Sequence, residues 1–207
     1  MPSYDPLHHH RHTIRLQGYD YAQPGAYFVT ICTYNRVCSF GEVAGGQMQL
    51  NDWGRVVAEC WSVIPTHFVH VVLDEWVVMP NHVHGIVVIT EAVGARVGAQ
   101  QCCAPTDAPT DINPRAYPHV APGSLGAIVR SFKSAVTQRI NLLRGTNTPP
   151  VWQRNYYEHI VRDEPGLNAI RQYIRHNPAK WNLDRDNAAN GRPEAKTADE
   201  YVHEAEA

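Results

Sequence analysis

At 207 residues, with 43% hydrophobic and 18% charged side chains, the chain has the composition of one folded domain with a real core, which excludes both two full domains and a disordered polymer. No apolar run reaches the roughly 18 to 20 residues of a membrane span, and the N-terminal MPSYDPLHHHRHTIRLQGYDY lacks the positive-then-apolar order of a signal peptide, so the expected location is the cytoplasm. A formal charge of −2 rules out a globally basic nucleic-acid binder, and any contact with phosphate must come from a local basic surface.

The elements follow in chain order. After the turn pair Pro24-Gly25, the aromatic and β-branched run Ala26 to Thr33 predicts a strand. Val37 to Leu50 predicts a small hairpin. Asn51 then predicts the cap of a helix with Val56, Val57, Cys60, Trp61 and Ile64 on one face, which Pro65 helps to end. Val69 to Met79 and His82 to Thr90 are two β-prone runs around the turn Pro80-Asn81, hence an antiparallel hairpin at the centre of a sheet. The Gly, Ala, Pro and Thr-rich stretch at about 91–122, with imperfect internal echoes, predicts a flexible insertion.

Ser124 predicts the cap of a second helix whose apolar face runs from Leu125 to Leu143 and which Gly145 stops. Val151 to Val161 predicts a strand, and Asp163-Glu164-Pro165 opens a last helix ending near Asn177-Pro178. The order strand, helix, hairpin, helix, strand, helix predicts an α+β, ferredoxin-like split βαβ antiparallel sheet with helices on one face, plus an extra C-terminal helix. Residues 1–181 then form a single domain, and 182–207 a polar, disordered tail. The five cysteines have no metal or redox spacing and read as bystanders, and the cluster His8-His9-His10-Arg11-His12 receives no role.

Chemistry concentrates in two places. His82 and His84 lie two apart on a strand, so both imidazoles project from one side and can clamp one metal, although an isolated His-x-His is more often a pair of surface histidines. Tyr173 and Asn177 stand four apart on the last helix, one turn, and so share a face; alone they read as a packing tyrosine and a helix-terminal amide. Together the parts fit one reaction. A tyrosine hydroxyl attacks a phosphodiester when a metal polarises the phosphate and a helix aligns the oxygen. Arg130, Lys133 and Arg139 on the second helix, with Arg154 beyond it, offer a local DNA-binding surface as readily as a solvated face.

Pro80-Asn-His82-Val-His84, the segment Trp152 to Arg162, and Tyr173-Ile-Arg-His-Asn177-Pro together resemble the REP-associated tyrosine transposases, relatives of the small single-tyrosine insertion-sequence transposases. The likeness runs from about Arg15 to Trp181. It implies His82 and His84 as ligands of a divalent metal, Mg²⁺ or Mn²⁺, with Asn177 as third protein ligand or metal-proximal polar group and Tyr173 as nucleophile. Tyr156 and Tyr157 compete for that last role but rank below it, as strand residues with no polar partner one turn away. The resemblance further implies cutting and rejoining of single-stranded, hairpin-forming DNA through a 5′-phosphotyrosine, by a monomer or homodimer at the bacterial nucleoid, with no membrane partner. Two rival readings stand beside it: a domesticated repeat-binding regulator without catalysis, and a metallohydrolase using the histidine pair, for which the sequence offers no evident carboxylate partner.

Overall fold

A computed structural model describes residues 16, 18–91, 120–184, 186, 187 and 190. The His8–His12 cluster, residues 92–119 of the expected insertion and the tail beyond 190 lie outside the described residues. The chain is α+β: strands β1 (Gly25–Cys32), β2 (Gly41–Ala44), β3 (Gln47–Leu50), β4 (Val71–Val78), β5 (His82–Ile89) and β6 (Tyr157–Val161), with helices α1 (Asp52–Ser62), α2 (Ile64–His67), α3 (Leu125–Arg144) and α4 (Glu164–His176). Four strands form one sheet in the order β4-β5-β1-β6, every neighbouring pair antiparallel, and β2-β3 make a separate hairpin. Among the described residues no helix is long and apolar enough to cross a membrane.

Local chemistry sets the helix ends. The side chains of Asn51, Ser124 and Asp163 each accept from a backbone N–H three residues on, satisfying one of the donors that a helix start leaves open. Gly145 ends α3 with a left-handed φ of 67°, where a Cβ would be strained. Pro65 does not end α1. That helix stops at Ser62, and Pro65 sits in the first turn of α2, where its missing N–H costs nothing. The strand expected over 151–161 is shorter than its β-prone run: Trp152 makes a lone bridge to Thr33 and regular pairing begins at Tyr157.

The sheet is covered on both faces. Tyr27, Val29 and Ile31 of β1 with Val83, Val87 and Ile89 of β5 pack under α1 and α3 around Trp61, Phe132 and Ile140. Gly85 is required there: a Cβ on it would meet Trp61 Cζ2 at 2.3 Å, so the indole lies directly against the strand backbone. On the other face Phe28 and Ile86 pack against Ile170 and Ile174 of α4. Because strand side chains alternate, His82 and His84 share that second face, where α4 brings Tyr173 against His84 and the segment after α4 brings Trp181 near His82.

Candidate functional site

His82 and His84 are both fully buried, with ring centroids 4.3 Å apart. His84 is held at Nδ1 by Thr30 Oγ1, 2.9 Å away on the paired strand β1, and its ring lies against Phe28. His82 Nε2 is buried and has no hydrogen-bond partner. Such an atom loses its water on folding with nothing in return, a cost of about 1–3 kcal/mol that a ligand at that nitrogen would remove.

The third member is Asp184. After α4 the chain turns through a short 3-10 segment, Pro178–Leu183, which returns Asp184 to the histidines. Its carboxylate and the two imidazoles offer donor atoms all within 4.8 Å of one another. Asn177, at the end of α4, is buried too: its Nδ2 donates to Asp184 Oδ2 at 2.8 Å, and its Oδ1 is a second buried atom without a partner. Two imidazole nitrogens, a carboxylate and a carboxamide oxygen suit a borderline or hard divalent cation, so these residues could hold a divalent metal ion. Sequence reasoning missed Asp184 because it lies past Trp181, in what reads as a polar tail.

Tyr173 enters from α4. Its hydroxyl is 3.2 Å from His84 Nε2, and its ring stands edge-on to Phe28 with centroids 6.1 Å apart. The helix carrying it is tied to an irregularity in β4 between Leu73 and Trp76. There Arg171 grips both carboxylate oxygens of Asp74, at 2.6 to 3.1 Å, and Arg175 pairs with Glu75 at 2.7 Å. The Arg171 hydrogen bond holds the Asp74 carboxyl below its ordinary value. Tyr157 packs on this face against Phe28, whereas Tyr156 lies against the α1–α3 core.

The four basic residues sit differently. α3 packs on the opposite face of the sheet from the histidines. Arg130 and Arg154 are exposed. Lys133 donates to the carbonyls of Gln153 and Asn155, at 2.5 and 3.3 Å, and burial pushes its ammonium down to about 8. Arg139 pairs with Glu59 at 2.5 Å.

Burial, helped by the positive charge of Arg36, pushes the His82 imidazole down to about 3, so the ring is neutral and able to coordinate at any physiological pH. An unfolded histidine protonates near 6.5, so between there and about 3 the unfolded chain binds a proton that the folded one refuses; the stability is fully present above pH 6.5 and falls as pH drops. The expected loss in metal-free protein is on the order of 2 kcal/mol by pH 5, measured by urea unfolding, and His82→Gln should remove that part of the slope.

Fold and site together define an α+β protein whose four-stranded antiparallel sheet carries a buried His-His-Asp cluster under its last helix. The sequence is 42% identical over 177 residues to an uncharacterized protein of Haemophilus influenzae, spanning 86% of this chain and 93% of that protein, and the chain belongs to that protein's family. No protein-family model matches it. Among solved structures the fold is shared with that of a REP-associated tyrosine transposase bound to a REP hairpin, at TM-score 0.54 and 16% identity over 82% of this chain and 75% of the other. A candidate transposase from Deinococcus radiodurans R1 aligns at TM-score 0.39 and 16% identity, over 78% of this chain and 95% of its own.

Proposed function

We propose that the protein is a metal-dependent tyrosine transposase that cuts and rejoins single-stranded, hairpin-forming DNA through a 5′-phosphotyrosine. The observation that carries the reading is Tyr173 Oη at 3.2 Å from His84, beside donor atoms of His82, His84 and Asp184 that lie within 4.8 Å of one another. The strand order β4-β5-β1-β6 reads as a split βαβ, ferredoxin-like sheet, and the shared fold of a transposase solved on a REP hairpin supports the same class.

His82, His84 and Asp184 would hold the ion, Mg²⁺ or Mn²⁺, with Asn177 Oδ1 as a further donor. When bound it would polarise a scissile phosphate. Thr30 orients His84, and α4, tied down through Arg171 and Arg175, aims the Tyr173 hydroxyl at the same place. Tyr173 Oη attacks phosphorus, a phenolic O–P bond forms and the P–O3′ bond breaks; the phenol proton ends on the departing 3′-oxygen, leaving a 3′-hydroxyl ready for the reverse transfer. One chain supplies all of these groups, so a monomer suffices and a homodimer is compatible. Of the basic residues, Arg130 and Arg154 are the better phosphate partners, since Lys133 is engaged by the Gln153 and Asn155 carbonyls and Arg139 by Glu59.

Asp184 also strengthens the metallohydrolase reading, since it is the carboxylate that the sequence did not reveal. The two separate in one experiment. Labelled single-stranded hairpin incubated with protein and Mn²⁺ is expected to give cut DNA covalently attached to protein; cut DNA with no adduct at any time would favour an activated water instead.

A further inference from the structure

Asn81 is fully buried between segments far apart in the chain. Its Nδ2 donates to the carbonyl oxygens of Asp186, at 2.7 Å, and Arg36, at 3.0 Å. An amide nitrogen can only donate, so two carbonyls on that side fix the orientation of the group and leave its Oδ1, which can only accept, facing His82 Nδ1 at 2.8 Å. His82 must then carry its proton on Nδ1, which leaves the lone pair on Nε2, the buried atom without a partner.

The same amide docks the chain segment that bears Asp184. Asp186 N–H donates to Asp184 Oδ1 at 2.6 Å, and the Asp186 carboxylate pairs with Arg36 at 2.9 Å. We infer that Asn81 is a positioning residue for the candidate metal centre, one amide that sets the tautomer of His82 and fastens the strap delivering Asp184. The inference rests on the metal reading given above. It goes beyond the ordinary role of asparagine in a strand turn, which needs neither contact.

Asn81→Asp separates the two roles. The carboxylate keeps an acceptor for His82 Nδ1–H but loses the donor and sets negative charge against two carbonyl oxygens. In metal-free protein, hydrogen exchange at the amides of Asp184, Asp186 and Asn187 should quicken about tenfold or more while β1 amides keep their protection; Mn²⁺ affinity, followed by electron paramagnetic resonance, should fall about 10–100-fold. Unchanged exchange at those three amides overturns the inference. A second measurement needs no variant: ¹⁵N correlations of the metal-free wild-type imidazole should show His82 protonated at Nδ1, and a proton on Nε2 would refute it. Failure of the wild type to bind Mn²⁺ would instead sink the metal reading itself, whatever the exchange and the tautomer show.

Discussion

Tyr173→Phe is expected to abolish the covalent protein–DNA species, with cleavage falling on the order of 10⁴-fold or more, because it deletes the single oxygen that would bond to phosphorus. The ring remains, so its edge-on packing on Phe28 and the burial of α4 through Ile170 and Ile174 persist. Loss of the hydroxyl's contact with His84 should cost only about 1 kcal/mol of stability. Urea unfolding and a denaturing gel of the labelled reaction check both halves. Cleavage that survives without an adduct would move the nucleophile from the tyrosine to a water.

The second large effect concerns the cluster. His82→Ala should weaken Mn²⁺ binding at least about 100-fold and reduce adduct formation in step, since it removes one of two imidazole donors from a site with few alternatives. On the proposed reading, binding of the hairpin in metal-free buffer should change little, because that affinity would draw on phosphate and base contacts made elsewhere and would be set by salt. Titration by electron paramagnetic resonance and gel shifts in chelator are the checks. Stability should drop by about 1–3 kcal/mol, as Asn81 Oδ1 loses the group it faces. Near wild-type Mn²⁺ affinity in the variant would remove the cluster from the mechanism.

Much of the architecture was legible because it is written in local chemistry. Ser124 and Asp163 announce helices by capping, and the Pro80-Asn81 turn joins two β-prone runs that pair as β4 and β5. The common face of His82 and His84 follows from strand period alone. The rest depended on what the chain brings back from a distance. Asp184 is one acidic residue in a stretch without periodicity, and only the turn after α4 returns it to the histidines. Asn81 reads as a turn residue because its partners, Arg36 and Asp186, are remote in sequence. Lys133 and Arg139 read as one basic stripe with Arg130, yet their charges are engaged by the 153–155 carbonyls and by Glu59 of α1, contacts that helical spacing cannot disclose.

The most direct measurement is to trap the adduct with a labelled hairpin and Mn²⁺, digest it, and locate the modified peptide by mass spectrometry. Tyr157 gives the comparison its force, since it packs on the same sheet face, against the same Phe28. DNA is expected on the peptide containing Tyr173 and none on Tyr156 or Tyr157; DNA on either of those two, with Tyr173 unmodified, would refute Tyr173 as the nucleophile.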